Sequence, residues 1–306
     1  MIIKNLEVHN FEGAFRGMRN PMNSWDRSDS WFGIGKRYNA PRYKEVASSW
    51  VDHYNTHREN PINDKESDKY SKLLTNYMSW LFDNSLLRKS NDDPSIGNIA
   101  LLGPKDLELA QKLIKAGSEH RKFLRQIIVS FDLTAPLYFW KEFDTYKIAT
   151  VANSTSTMHK LATTPITLDC FETGDYEPDL IYLNGVDDHG DNWYTYYMCI
   201  KDMVETCGID SYNEPAIIQF LEELRLAYLE TKDKRYWKEL IRWLPESWLQ
   251  TRTISMNYEN VLNIIHQRHN HKLSEWRWLV EQFKNLPYSY ELLFFTLDKE
   301  GAKYAD

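Results

Sequence analysis

One strand near the middle of the chain, followed at once by Ala-Pro and a helix, constrains the fold most. From Ile127 to Leu133 the apolar side chains fall on every second position. This period of two is typical of a β-strand with one better-buried face. Pro136 is expected in the first turn of the next helix, where its missing N–H costs nothing, and Thr134 is expected to cap that helix. The segment predicts a sheet whose strand leads directly into a helix.

A run of short polar side chains follows this helix. Between residues 150 and 157 the sequence reads TVANSTST and contains no glycine. Hydroxyl and amide groups supply both hydrogen-bond donors and acceptors. The run is therefore predicted to be a loop that lines the binding site of a polar ligand.

Helical periodicity marks several further segments. Pro104 and Gly117 bracket residues whose apolar side chains share one face, with start and stop signals at the expected ends. Residues 251–256 predict a short strand that leads into a helix from about Asn257, on which Asn260, Asn263 and Gln267 form a polar stripe. Other helices are predicted within 41–66, 69–83, 214–228, 236–241 and 273–283.

Composition limits the classes of protein that this chain can represent. With 306 residues, 42% hydrophobic and 14% aromatic, it can bury a substantial core. A net charge of −7 disfavours nonspecific nucleic-acid binding, although a nucleotide needs only local cations. No apolar run approaches the length of a membrane span, and the first residues lack a signal-peptide core. Three cysteines without metal-type spacing are expected to be reduced thiols, so a cytoplasmic protein is predicted.

An early basic segment stands out in this acidic chain. Two interpretations are open: a turn-rich surface segment with scattered charges, or a site for an anion. The segment contains Arg16, Arg19, Arg27, Lys36 and Arg37 beside Ser24, Ser28 and Ser30.

No metal site is predicted. The acidic run at 187–191, DDHGD, lacks the positions of a calcium loop and is interpreted as part of a solvated insertion. His266, His269 and His271 do not share one helical face, so they are interpreted as loop histidines.

Two blocks of the chain resemble the flavin-dependent thymidylate synthases, the ThyX family. Members carry a Gly-His-Glu-Ser/Thr-Pro-x-Glu-His segment, a strand and Ala-Pro, and in this chain Gly117, Glu119, His120, Ala135 and Pro136 match in kind and order. The helix that follows departs from the family. Without gaps, the family's Arg-Gln falls here on Lys141 and Glu142, and its Arg-His-Arg falls on Thr145, Tyr146 and Lys147. Its later Ser falls on Thr150, and its last Ser and Arg fall on Thr155 and Thr157. The family's Asn-Glu falls on Ala152 and Asn153, or its Asn falls on Asn153 if one residue is inserted.

The second block lies about a hundred residues later and aligns without a gap. Family members have Leu-Pro, a strand, Asn-x-Arg-x-x-x-Asn on a helix, and then Arg. Asn257, Asn263 and Arg268 stand at those spacings after Leu-Pro at 244–245, but Glu259 replaces the family arginine. Arg242 lies within one residue of another nucleotide-binding arginine of the family.

The resemblance implies an α+β fold in which a mixed or antiparallel sheet packs against helices. It also implies one domain over 1–306, with an N-terminal extension to about residue 98 and an acidic insertion at about 165–213. Implied ligands are FAD, NADPH, methylenetetrahydrofolate and dUMP, held between the subunits of a homotetramer. The implied site residues are His120, Lys147, Asn257 and Asn263 for the cofactor, Lys141, Glu142, Asn153, Thr155 and Arg268 for the substrate, and Arg268 for catalysis.

Three hypotheses follow. The chain is a divergent flavin-dependent thymidylate synthase, the same scaffold acting on another pyrimidine nucleotide, or a noncatalytic protein that binds nucleotides or assists assembly. Loss of arginine at 145 and 157 removes charge-assisted hydrogen bonds worth about 1.5–3 kcal/mol each, so other cations must substitute if ligand binding is retained.

Overall fold

The computed structural model describes residues 1–36, 43–56, 86–89, 96–172, 182–186, 192–196 and 216–297. The helix predicted at 69–83 and most of the acidic insertion, including 187–191, lie outside the described residues.

Strands and helices alternate irregularly along the described chain. The strands are β1 (Ile2–His9), β2 (Trp31–Lys36), β3 (Leu86–Lys89), β4 (Ile96–Leu101), β5 (Ile128–Pro136), β6 (Val151–Ser154), β7 (Tyr182–Val186), β8 (Asn192–Tyr196) and β9 (Leu249–Asn257). The helices are α1 (Phe11–Arg19), α2 (Tyr43–Thr56), α3 (Pro104–Lys115), α4 (Leu137–Phe143), α5 (Thr157–Thr163), α6 (Ala216–Thr231), α7 (Lys234–Arg242), α8 (Tyr258–Arg268) and α9 (Ser274–Phe283).

The main sheet has four strands in the order β1-β5-β9-β6. A second sheet has the antiparallel order β2-β4-β3, and β7 pairs with β8 in an antiparallel hairpin. Sheets and helices that are not organised as regular βαβ repeats define the α+β class. The predicted fold class is confirmed.

The alternation predicted for β5 is present in its burial. Ile127, Val129, Phe131 and Leu133 are at most 1% exposed, whereas Ile128 is 36% exposed. Burying large side chains on one face fixes the register of a strand, because a slip by one residue would turn all of them towards the other face.

Two predictions for the end of β5 are wrong. The strand continues to Pro136, and α4 begins at Leu137 with Pro136 as its N-cap and no side-chain cap. Thr134 therefore does not cap the helix. Its hydroxyl lies 2.7 Å from the hydroxyl of Thr251 on β9, so the side chain is used between neighbouring strands.

The polar run at 150–157 is a strand and a helix start, which corrects the predicted loop. Val151–Ser154 form β6, whose four residues are all exposed, and α5 begins at Thr157. The Thr155 N–H donates to the Thr251 carbonyl oxygen at 2.9 Å. Backbone pairing to β9 therefore extends past the end of β6, which side-chain composition alone did not reveal.

The chain divides into two compact units. The first contains 1–3, 133–145 and 153–253, and the second contains 4–132, 146–152 and 254–306. The first unit has an apolar core contributed mainly by α5, α6, α7 and the segments that flank them. Its buried members are Leu161, Ile166, Phe171, Ile218, Leu221, Leu240 and Trp248.

The second unit is built around aromatic packing. Phe11 meets Tyr258 edge to face with ring centroids 5.6 Å apart, and Phe15 meets Phe123 in the same way at 5.8 Å. The buried hydroxyl of Tyr258 donates to the Pro287 carbonyl oxygen at 2.6 Å. These contacts fix α1, α8 and the segment after α3 in one core, since aromatic side chains bury large areas and prefer such geometry.

The predicted helix between Pro104 and Gly117 is confirmed as α3. Leu107, Ala110 and Ile114 are buried on its inner face. Gly117 follows the helix with φ of 103°, a backbone region that favours glycine. The chain then turns, and the His120 N–H donates to the Gly117 carbonyl oxygen at 3.0 Å.

The sequence patterns of the remaining helices also hold. Four predicted helices are present. The helix predicted at 214–228 corresponds to α6, that at 236–241 to α7, that from about Asn257 to α8, and that at 273–283 to α9. Among the described residues, no helix is both long enough and apolar enough to span a membrane.

Candidate functional site

Asn257 caps helix α8 in the second unit. Its side-chain oxygen accepts a hydrogen bond of 3.0 Å from the Asn260 N–H, and the residue is 4% exposed. Satisfying an otherwise unpaired N–H at a helix start is the usual role of asparagine in this position. Asn257, a predicted cofactor residue, therefore also stabilises the start of α8, which its spacing in the sequence had not indicated.

Glu259, which replaces the family arginine, is paired with two arginines. Its Oε1 accepts from Arg121 Nε at 3.1 Å, and its carboxylate forms a second ion pair with Arg125. Burial raises the pKa of Glu259, but the hydrogen bonds from Arg125 and Arg121 outweigh burial and hold the pKa below its ordinary value. The carboxylate is therefore ionised at neutral pH, and the charge reversal is compensated by the segment after α3.

Asn263 belongs to the same cluster. Its side-chain oxygen accepts from Arg121 Nη2 at 3.3 Å. Because the oxygen is used in this way, the amide nitrogen remains to donate to a ligand. The amide nitrogen of Asn263 is therefore the atom that can bind a ligand.

Arg268 lies at the end of α8 among aromatic rings. Its Nε donates to the Tyr146 hydroxyl at 2.8 Å, and its Cζ lies 4.6 Å from the centroid of the Trp276 ring. The Tyr146 hydroxyl also donates to Gln267 Oε1 at 2.9 Å. Stacking and hydrogen bonding hold a planar guanidinium in a fixed orientation, as anion recognition requires.

The start of the polar segment is attached to α8. The side-chain nitrogen of Asn260 lies 2.8 Å from the Thr150 hydroxyl and donates also to the Ile148 carbonyl oxygen. Lys147 is exposed one residue before this contact. Within the second unit, Tyr146, Lys147 and Thr150 therefore lie on the segment that contacts α8.

His120 lines a cavity of the second unit. The cavity has a volume of about 830 Å³ and is bordered by residues from α1, α3 and the turns that follow each of them. The early basic segment contributes Arg19 and Arg27 to its wall.

Arg19 is not an available cation, which corrects part of the predicted anion site. It is 5% exposed and donates to the fully buried carboxylate of Asp106 at 2.5 Å. Asp106 also accepts from the Ser28 hydroxyl at 2.6 Å. Arg16 lies 3.9 Å from Glu12 on the surface of α1. A buried charge is stable only when it is paired in this way, so Arg19 supports the fold.

The other predicted substrate residues lie in the first unit. Lys141 Nζ lies 2.6 Å from Glu246 Oε1, and the backbone oxygen of Glu142 accepts from the Thr145 hydroxyl at 2.7 Å. Asn153 is on β6, and the Thr155 carbonyl oxygen accepts from Gln250 Nε2 at 3.1 Å. Arg242 is exposed and paired with Glu239.

Sequence reasoning missed Arg252 in the first unit. Its Cζ lies 4.3 Å from the Trp140 ring centroid, and its Nη1 donates to Asp144 Oδ1 at 2.7 Å. The only signal in the sequence was a cationic residue between two threonines of a predicted strand. That pattern is common on half-buried strands, so it did not identify a partner.

The predicted site residues thus fall into two groups. His120, Lys147, Asn257, Asn263 and Arg268 belong to the second unit, and Lys141, Glu142, Asn153 and Thr155 belong to the first. Three residues of the second unit lie on helix α8 or cap it: Asn257, Asn263 and Arg268.

Solved structures of one enzyme are similar to this chain. No family model and no curated protein matches the sequence. The flavin-dependent thymidylate synthase ThyX from Helicobacter pylori, in a crystal structure with FAD and dUMP, is similar with 17% identity and a TM-score of 0.42, covering 62% of this chain and 83% of that one. A second structure of ThyX from Helicobacter pylori with FAD and dUMP has 18% identity and a TM-score of 0.42, covering 62% and 82%. Structures similar to this chain therefore include ThyX, the family that its sequence motifs resemble.

Proposed function

We propose that this chain is a divergent flavin-dependent thymidylate synthase-like enzyme, which reductively methylates dUMP using FAD, NADPH and methylenetetrahydrofolate. The motif resemblance supports the proposal at Asn263 and Arg268. The observation that carries it is the contact of Asn260 with Thr150 at 2.8 Å, because this contact holds the segment bearing Lys147 against the helix bearing those two residues.

The donors of the second unit fit a flavin and a pyrimidine nucleotide in their chemistry. The Asn263 amide nitrogen would donate to a carbonyl oxygen or ring nitrogen, and Lys147 would face an anionic group. Arg268 would stabilise negative charge that develops on a pyrimidine oxygen, a task for a preorganised donor. A bound reduced flavin supplies the hydride, so no protein nucleophile is required.

Asn257 is less available to a flavin than Asn263. Its side-chain oxygen is taken by the Asn260 N–H, and only 4% of the residue is exposed. Only the Asn257 amide nitrogen could contact a ligand while the helix cap is kept. The proposed cofactor residues of the second unit are His120, Lys147, Asn263 and, through its amide nitrogen, Asn257. Arg268 is the proposed substrate residue of that unit. The proposed assembly is a homotetramer.

A second candidate function is nucleotide binding without catalysis. Two side chains at positions of the family's flavin helix contact the protein itself, which favours this candidate. Asn257 caps α8, and Glu259 forms ion pairs with two arginines. A third candidate, action on another pyrimidine nucleotide, is consistent with the departures at Glu142, Asn153 and Thr157.

Spectroscopy and isotope release test these candidates. We expect the purified chain to show a flavin absorbance spectrum, or to acquire one with FAD, and to release tritium from C5-labelled dUMP in the presence of NADPH and methylenetetrahydrofolate. Flavin binding with release from a different labelled pyrimidine would support the third candidate. A colourless protein that gains no flavin absorbance, but binds dUMP in calorimetry, would contradict the enzyme and support the second.

A further inference from the structure

The cavity that His120 borders has a positively charged rim. Arg27 comes from the turn after α1, Lys105 from the first turn of α3, and Lys122 from the segment after α3. All three are exposed. Cations from three separate segments therefore converge on one concave surface of a chain whose net charge is −7.

Two of these cations are not neutralised by the part of the chain that the structure describes. Within that part, the side chains of Arg27 and Lys105 have no acidic partner in salt-bridge distance. Lys122 lies 3.6 Å from Glu119, but both side chains are more than 60% exposed, and such pairs contribute little. The acids that border the cavity are Asp26 and Glu119. The three cations of the rim outnumber these two acids, so the rim keeps an excess of positive charge.

The backbone groups at the start of α3 do not add to this charge. The N–H groups of Lys105 and Asp106 donate to the carboxylate of Asp29 at 3.0 and 3.1 Å. The helix start is therefore already capped by an acid, and an incoming anion would be recognised by side chains.

The floor of the cavity is apolar. Leu109 and Leu113 of α3 are half-buried and line it, and the buried side chains of Phe123 and Met18 lie behind them. A volume of about 830 Å³ lies in the range of small-molecule sites, which combine apolar walls with a few polar groups. The cavity thus offers an anion-binding rim above a surface suited to a ring.

We propose that this cavity binds a small organic phosphate, with its phosphate at Arg27 and Lys105 and its apolar part on Leu109 and Leu113. The arginine can form two parallel hydrogen bonds to phosphate, and the lysine adds a second charge. The cavity shares His120 with the proposed cofactor residues, but Asn263 and Arg268 do not border it, and neither Arg27 nor Lys105 has a role in the proposed flavin-dependent activity.

Calorimetric titration of the full-length chain with ADP tests the proposal. We expect ADP to bind, adenosine to give no measurable heat, and inorganic phosphate to bind more weakly than ADP. Arg27→Gln and Lys105→Gln should each weaken ADP binding about tenfold, since each removes one charge-assisted contact. Lys112→Gln is the matched control, because it removes an equal charge from an exposed position of α3 that does not border the cavity.

Several outcomes would overturn the proposal. These are no binding of ADP at roughly millimolar concentration, equal affinities of the two cavity variants and the Lys112→Gln control, or inorganic phosphate binding as tightly as ADP. The variants change exposed side chains, and their melting temperatures verify that they fold. Arg27 and Lys105 are outside the proposed cofactor and substrate residues, so the effect of their variants on ADP binding is independent of whether the proposed enzymatic activity is found.

Discussion

The carboxylate of Glu259 lies 3.1 Å from the guanidinium Nε of Arg121, across a sequence separation of 138 residues. Glu259 stands where the family that this sequence resembles carries an arginine, and the ion pair neutralises the substituted carboxylate. Arg121 also binds the Asn263 oxygen, so one arginine both neutralises the substituted residue and orients its neighbour one turn later.

Glu259→Gln should lower the free energy of unfolding by about 1–3 kcal/mol at pH 7, because a charge-assisted hydrogen-bond acceptor is lost. The folded-state pKa of Glu259 is depressed, so its stabilisation is present above the unfolded pKa and disappears as pH falls through the folded pKa. The difference between the two proteins should therefore shrink below about pH 4.3. Urea denaturation across this pH range measures it.

The control for this prediction is Glu119→Gln. Glu119 is 79% exposed and pairs with Lys122 at 3.6 Å, so its replacement should change stability by less than about 1 kcal/mol. An equal loss in both variants, or a Glu259→Gln loss that grows on acidification, would show that the cluster is not ionic in the folded state.

Asp106→Asn should be the most destabilising of the substitutions considered. Asp106 is fully buried and paired with Arg19, which is itself 6% exposed in its side chain. Removing one partner leaves an uncompensated buried charge, which costs about 3–5 kcal/mol. Chemical denaturation measures this loss. Asp26→Asn serves as the control with little expected change, because Asp26 is exposed at the cavity that Arg19 borders.

Asn257→Ala should cost about 1 kcal/mol of stability through loss of the α8 cap. Asn257→Asp keeps an acceptor at the same place and should retain most of that stability. Thermal unfolding of both variants separates them. Equal destabilisation by Ala and Asp would mean that the side-chain oxygen does not act as a cap.

Arg268→Gln should weaken dUMP binding about tenfold to a hundredfold, as expected for one lost charge-assisted contact. Arg277→Gln is the matched control on α9, since Arg277 is exposed and donates to backbone oxygens of His271 and Lys272. Isothermal titration with dUMP measures both affinities. Unchanged binding in Arg268→Gln would remove this residue from the proposed substrate site.

Local patterns in the sequence determined most of the elements. The period of two from Ile127 to Leu133, the Pro104 and Gly117 signals around α3, and the two stripes of α8 each depend on residues close together in the chain. Such signals reflect backbone geometry and one buried face, so they can be read without knowing the partner. The limits of this reading appear at Thr134, whose hydroxyl could cap a helix or bind a strand.

Tertiary structure alone decided which charged and polar groups satisfy one another. Arg19 and Asp106 are 87 residues apart in sequence, and nothing local indicates that a cation of the basic segment is neutralised in the core. The same holds for Asn263, whose oxygen is taken by Arg121. Hydrogen bonds and ion pairs act over a few ångströms in space, whereas sequence spacing records distance only along one element. The sequence therefore determined which side chains share a helix, and the fold determined which of them remain to bind a ligand.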